Sequence, residues 1–338
     1  MQNQPDKSIQ RILVVRLSAI GDVCHAMAVV ARLQERYPHA EITWITSPLE
    51  ANLVRLLPKV NVVIYDKKSG LKGMLALRQS LKANYYDILL HMQWSLRASL
   101  LTRMVRVRRR IGFSKAFSRE KQHWFVNEWA DEPKGAHVLD SLLSIAAPLG
   151  IETPLIPCPL DLPTSPTESP LPDEYVVLNP SASKAERNWT FEGYQSVIRY
   201  LREKKLAVVL TGGPSAKEKA LAGRLMAEGV INLTGQTNLP EMMSVLRDAK
   251  LVISPDTGPA HMATLVGTPV LGLYAHSNPR RTGPYRDLER VVSVYETLAE
   301  KEYGKAVSEL PWATRVHDPK AMQYIQEDVV LEQLSQLI

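Results

Sequence analysis

The sequence predicts an α/β protein made of two Rossmann-like halves, each a parallel sheet with helices on both faces. Short, continuously apolar runs of strand length alternate with stretches of helical period through residues 11–105 and again through 175–274, which is the pattern of repeated βα units. Between them Pro154, Pro157, Pro159, Pro163, Pro166, Pro170 and Pro172 crowd one short segment. Proline at that density punctuates a chain, and the segment reads as an inter-domain linker. A length of 338 residues accommodates two ordinary domains of this class.

Each element follows from its residues. Arg11–Arg16 is a buried-strand candidate, and Gly21-Asp22 then opens a helical stretch to about Arg36. Ile42–Ile45 and Val60–Tyr65 are strands, Leu71–Ala83 a helix, Asp87–Met92 a strand and Leu96–Val105 a helix. In the second half Tyr175–Leu178, Ala207–Leu210, Val230–Leu233, Ala249–Ile253 and Pro269–Tyr274 are strands. Phe191–Lys204, Lys217–Glu228, Leu239–Asp248 and Met262–Val266 are helices between them. Val329, Val330, Leu334 and Leu337 recur at helical spacing in a last helix, Gln326–Ile338.

Composition narrows the function classes. Hydrophobic content of 45% with 22% charged residues is the balance of a globular chain, not a disordered one. No apolar run reaches bilayer length, and Met1–Gln10 is polar and lacks a signal-peptide core. Cys24 and Cys158 are the only cysteines, so neither a disulfide framework nor a cysteine metal site is implied. These features predict a cytoplasmic protein. A net charge of +6 favours anionic partners: nucleic acid, anionic lipid or a phosphorylated substrate.

The densest motif is Ser254-Pro255-Asp256-Thr257-Gly258-Pro259-Ala260-His261, between an apolar strand and a short helix. Asp256 and Thr257 suit an N-cap, Pro259 suits the first helical turn, and Gly258 lets a ligand approach the backbone. A helix N-terminus at the end of a strand is an anion site. His261, one turn in, is placed to reach a phosphate or hydroxyl, or to serve as a structural histidine. The loop Asn179–Trp189 carries small hydroxyl residues with Lys184 and Arg187, a set able to bind and neutralise a diphosphate, or a plain polar loop capped by Thr190. Gly212-Gly213 ends another strand, followed by Glu218, which either accepts from a ribose or base or faces solvent.

In the first half, the loop Leu17–Asp22 joins the first strand to the first helix, at the edge where open α/β sheets bind ligands. It contains no G-x-G-x-x-G, so a dinucleotide dehydrogenase gains no support. Asp22 reads as a general base or as a helix cap. The basic stretch Arg97, Arg103, Arg106, Arg108, Arg109, Arg110 and Lys115, with Trp94 and Phe113 nearby, suits an anionic acceptor, an anionic membrane surface or nucleic acid.

Together these motifs resemble the bacterial lipopolysaccharide heptosyltransferases, glycosyltransferase family 9. The resemblance rests on R-I-L-V-V-R-L-S-A-I-G-D-V, D-I-L-L-H-M-Q-W-S-L-R-A-S-L-L-T-R with R-R-R-I-G-F, N-P-S-A-S-K-A-E-R-N-W, V-I-S-P-D-T-G-P-A-H-M-A and R-R-T-G-P-Y, spread over nearly the whole chain. It implies a GT-B fold, two Rossmann-like domains facing across a cleft. On this chain the acceptor-binding domain is 1–158, the nucleotide-sugar-binding domain 159–319, and 320–338 a terminal helix crossing back to the first domain. The donor implied is ADP-heptose and the acceptor the anionic inner core of lipopolysaccharide, built on Kdo and lipid A, at the cytoplasmic face of the inner membrane. The implied chemistry is inverting, without metal or cofactor, and no nucleic-acid partner is expected.

Carried over residue by residue, the resemblance makes Asp22 the catalytic base. It assigns Ser183, Arg187, Glu218, Asp256, Thr257, Gly258 and His261 to the donor, and Ser18, Gly21, Arg97, Arg109 and Arg110 to the acceptor. Arg187 stands where lysine is more usual, and Ala182 where some members carry a second hydroxyl. Ala275-His276 replaces the Gly-Pro of the common G-P-T-x-P form. The alternatives are a related enzyme using another nucleotide sugar or core acceptor, and a non-catalytic nucleotide- or polyanion-binding protein on the same scaffold.

Overall fold

The computed structural model describes residues 6–164, 167 and 170–338. Met1–Pro5 of the polar N-terminus and residues 165–166, with Pro166, and 168–169 of the linker lie outside the described residues. The chain divides into two compact units, Met1–Asp161 and Leu162–Ile338. The division therefore falls inside the proline-rich segment, three residues beyond the expected 158/159.

The first unit contains β1 (Arg11–Val15), α1 (Ile20–Arg36), β2 (Glu41–Thr46), α2 (Ala51–Val54), β3 (Val60–Ile64), α3 (Gly70–Leu81), β4 (Tyr85–His91), α4 (Leu96–Arg103), β5 (Arg106–Gly112), β6 (Glu128–Trp129) and α5 (Val138–Ala146). Its six strands are parallel in the order β3-β2-β1-β4-β5-β6. Ile12, Leu13, Val14 and Val15 of the central strand are all fully buried, as both faces of a covered parallel sheet require. Each such aliphatic side chain contributes about 1.5–3 kcal/mol by leaving water.

The second unit contains β7 (Tyr175–Leu178), α6 (Phe191–Glu203), β8 (Ala207–Leu210), α7 (Ala216–Arg224), β9 (Val230–Asn232), α8 (Leu239–Asp248), β10 (Leu251–Pro255), α9 (Gly258–Val266), β11 (Val270–Tyr274), α10 (Pro279–Thr282), β12 (Val291–Ser293), α11 (Tyr295–Tyr303) and α12 (Glu327–Ser335). Its order is β12-β11-β10-β7-β8-β9, again all parallel. Counted from the first strand of each unit, the two sheets have the same arrangement. In each, the chain winds outward through three strands, then returns to the other side of the first. The switch points, where ligands of open α/β sheets bind, are thus β1/β4 and β7/β10.

Val330 and Leu334 of α12 are fully buried in the second unit's core, against α6 and β12. Of the basic stretch, Arg97 and Arg103 lie on α4 and Arg106, Arg108, Arg109 and Arg110 on the strand β5. Val107 and Ile111 supply its pleat, while neighbouring arginines mask the alternation.

Candidate functional site

Beyond β1 at the first switch point, Arg16 is a charged residue only 2% exposed. A buried cation demands partners. Its Nη1 donates to the Met92 carbonyl oxygen just after β4 at 2.5 Å, and its Nη2 pairs with Oδ2 of Asp22 in the first turn of α1. The Ala19 amide donates to the same Asp22 oxygen at 3.4 Å, so Asp22 caps its helix and is also clamped by Arg16. Both contacts fall on Oδ2, and the carboxylate remains about one third exposed. The amides of Leu17 and Ser18 donate to Oε1 of Gln93, at 3.0 and 3.3 Å. Arg16 and Gln93 together therefore lock the β1 and β4 loops to each other. Beneath them His91 is fully buried, its Nε2 2.9 Å from Ser99 Oγ. Desolvation, aided by the Arg16 charge, holds its pKa down to about 3. Glu50 is 7% exposed, and burial raises its carboxyl above the usual range. Next to these loops lies a cavity of about 590 Å³, lined by Ser18, Gln93, Ser95 and Arg97 among others.

At the second switch point, the loop after β7 meets the loop after β10. Arg187 Nη1 donates to the Asp256 carbonyl oxygen at 3.0 Å and lies 3.4 Å from its carboxylate. Both side chains are about 85% buried. Ser277, just beyond β11, donates its hydroxyl to the same carboxylate. Asn188 Oδ1 accepts from the Ala182 amide at 2.8 Å, and Asn179 Nδ2 donates to the Ser181 carbonyl oxygen at 2.8 Å, bracing the loop from within. The ring nitrogens of His276 lie 2.9 Å from the Glu186 carbonyl oxygen and 3.0 Å from that of Val316. Thr257 is the N-cap residue of α9, with Pro259 in the first turn, and Gly267 closes the helix at a φ of 87°. The resulting arrangement is a guanidinium held beside a helix N-terminus. It has the charge and the donors to receive a phosphate group.

The chain matches the family model described as glycosyltransferase family 9 (heptosyltransferase) over residues 74–313. It belongs to glycosyltransferase family 9. This family-9 protein is 40% identical over 336 residues to the lipopolysaccharide core heptosyltransferase OpsX of Haemophilus influenzae, covering 96% of each chain. It is 28% identical to lipopolysaccharide heptosyltransferase 3 of Escherichia coli K12, over 75% of this chain and 79% of that one. Its fold superposes on E. coli heptosyltransferase WaaC with ADP at a TM-score of 0.77, with 20% identity, 97% of this chain and 100% of that one covered. The fold class expected from the motifs, the GT-B type of these heptosyltransferases, is therefore the one observed.

Within this family-9 chain the candidate residues separate into groups. Asp22, Ser18 and Gly21 lie at the first switch point, and Arg97 lines the adjoining cavity. Arg187, Asp256, Thr257 and Gly258 lie together at the second, while Ser183 is exposed on the loop and His261 is 8% exposed inside α9. Arg109 and Arg110 are committed elsewhere. Arg109 makes a two-pronged pair with Glu128 of β6 at 2.7 and 2.8 Å, and Arg110 donates to the carbonyl oxygens of Thr102 and Val105. Glu218 is likewise turned onto its own loop, accepting from the Gly213 amide at 2.8 Å and the Ser215 hydroxyl at 2.5 Å. Sequence reasoning missed Arg16, Gln93, His276 and Ser277. A lone charge in the buried run Arg11–Arg16 was the available signal for Arg16; His276 was visible only as a departure from a family form.

Proposed function

We propose that this protein is an inverting heptosyltransferase that moves a heptose from ADP-heptose onto the inner core of lipopolysaccharide. The observation that carries this reading is the 40% identity, over nearly the full length of both chains, with a lipopolysaccharide core heptosyltransferase. WaaC, whose fold this chain shares, has been solved with ADP, which supports ADP as the leaving group here. The acceptor hydroxyl oxygen attacks the anomeric carbon in one displacement. The bond from that carbon to the diphosphate oxygen breaks, and ADP departs with its electron pair, inverting the centre. Asp22 takes the hydroxyl proton on Oδ1, the oxygen that Arg16 and Ala19 leave open. Arg187 and the N-terminus of α9 receive the charge growing on the diphosphate, so the step runs without a metal ion. Asp256 orients Arg187, its carboxylate being engaged by Arg187 and Ser277.

The test is transfer from ADP-heptose to a truncated lipopolysaccharide acceptor by the Asp22→Asn variant. Turnover should fall by about 10²–10⁴ while ADP affinity, read by calorimetry, stays near that of the parent. Undiminished turnover removes Asp22 as the base. A preference for UDP or GDP over ADP in the same calorimetry would instead support the related enzyme with another donor. Activity that a chelator abolishes would contradict the metal-free step.

A further inference from the structure

Gln93 uses only half of its side-chain amide within the protein. Its Oε1 accepts from the Leu17 and Ser18 amides, at 3.0 and 3.3 Å. Two donors on that atom fix the amide the right way round, oxygen toward the β1 loop and amino group away from it. The main chain at Gln93 is pinned as well. Its carbonyl oxygen accepts at 3.1 Å from Nε2 of Gln122, a fully buried residue that also donates to the His91 carbonyl oxygen at 3.0 Å. The Nε2 amino group of Gln93 has no hydrogen-bond partner among the described residues, yet it is not sealed from solvent. A firmly held residue therefore presents an unused donor, and it lines the cavity next to this loop.

Asp22 is held by the same turn. The Ala19 amide donates to its Oδ2 at 3.4 Å, so of three consecutive amides two engage Gln93 and the third engages Asp22. Consecutive residues lie about 3.8 Å apart. The Gln93 amide and the Asp22 carboxylate therefore stand side by side, within the span of one sugar ring. Other polar groups of the cavity are engaged or unsteered. Ser95 accepts from the Ala98 amide as the cap of α4, and Glu120 accepts from the Leu96 amide. Lys67 and Arg97 are exposed, and their long stems supply charge without a fixed direction. Gln93 instead couples a donor of fixed direction to the turn that holds Asp22. A hydroxyl, ring or carboxylate oxygen can accept from such a donor, and an analogue lacking that oxygen is discriminated against.

We infer that Gln93 is a specificity-determining residue for the acceptor. Its Nε2 donates to a second oxygen on the sugar ring whose hydroxyl Asp22 deprotonates, and so sets the orientation in which that ring is presented. This inference rests on the proposed roles of Asp22 as base and of a sugar acceptor at the first unit. The full-length enzyme is assayed with ADP-heptose and a Kdo glycoside, then with analogues of that acceptor each lacking one oxygen other than the attacked one. The parent should lose about tenfold or more in kcat/KM on one analogue. Gln93→Glu keeps an oxygen for the Leu17 and Ser18 amides and replaces the amino group by an acceptor. It should raise the KM of the complete acceptor about tenfold or more and no longer distinguish that analogue, with ADP affinity and Tm near those of the parent. Any effect of the new carboxylate on Asp22 falls on every acceptor alike and cancels in the comparison.

Gln93→Met, which has neither group, should lose the same distinction and also lower kcat, because the two amides are left without their acceptor. Should Gln93→Glu lose ADP affinity through misfolding, Gln93→Met carries the comparison. A variant that keeps the parent's acceptor KM, or that penalises the same analogue as the parent does, overturns the inference and leaves Gln93 only as a lock between the β1 and β4 loops. Equal turnover of all the analogues by the parent overturns it too. No transfer by the parent to any Kdo acceptor would sink the heptosyl-transfer reading and this inference with it, whereas transfer that tolerates every analogue sinks the inference alone.

Discussion

Replacing Arg187 by alanine tests the second switch point most directly. Its guanidinium is about 85% buried, 3.0 Å from the Asp256 carbonyl oxygen and 3.4 Å from the carboxylate. A hydrogen bond to a charged group is worth about 1.5–3 kcal/mol, which is about 10- to 150-fold in Kd. Truncation also strips Asp256 of its cation and leaves it with Ser277 alone, so an incoming diphosphate meets an uncompensated carboxylate. The two effects act together, and ADP should weaken about 100-fold. Adenosine, which carries no phosphate, should weaken only slightly. Calorimetry with ADP, AMP and adenosine reads the difference, and the gap between ADP and adenosine should narrow as salt is added. Adding Asp256→Asn to Arg187→Ala should recover about tenfold of the lost ADP affinity, because the stranded charge is gone. Equal losses for ADP and adenosine, or no recovery in the double variant, would refute the placement of the diphosphate at Arg187.

Three further outcomes follow from other contacts. His276→Ala should raise the donor KM about tenfold with kcat much less affected, because it frees the turn that carries Arg187; His276→Gln should restore part of the loss, and equal KM values for both variants would dismiss the role. His91 is neutral and buried, its folded pKa depressed to about 3 against 6.5 unfolded; its stabilisation is thus complete above about pH 6.5 and is lost as pH falls toward 3. Urea unfolding of His91→Gln should show an acid slope shallower by about one proton over that window, and an unchanged slope would assign the acid sensitivity elsewhere. Leu334→Ala, at a fully buried position, should destabilise the second unit by about 2–5 kcal/mol; a loss below about 1 kcal/mol would mean that α12 does not pack as described.

The alternation of strands and helices was legible because continuous apolar runs such as Ile12–Val15 have one good use in a chain of this class, the middle of a covered parallel sheet. The turn before α9 was legible for a similar reason, since Pro259 and Gly258 have narrow backbone preferences. Helix α9 nonetheless begins at Gly258, four residues before the apolar stretch that suggested it, because caps and first turns need no apolar side chains. Strand β5 was hidden by its arginines, whose partners lie 5–19 residues away in sequence. Their charge suggested a ligand, whereas their hydrogen bonds serve the sheet. Arg16 shows the converse. Its importance comes from Asp22 and from Met92, 76 residues on, and local pattern carries no information across that distance.

The repeated strand order has a consequence for how this enzyme can change. Each sheet has its own switch point with an arginine paired to a carboxylate, Arg16 with Asp22 and Arg187 with Asp256, and its own hydrophobic interior. Substitutions that retune what one crevice accepts need not disturb the chemistry held by the other. On the proposed assignment of acceptor to the first unit and donor to the second, exchanging the segments on either side of residue 161 between relatives should yield chimaeras in which the sugar donor follows one parent and the acceptor the other.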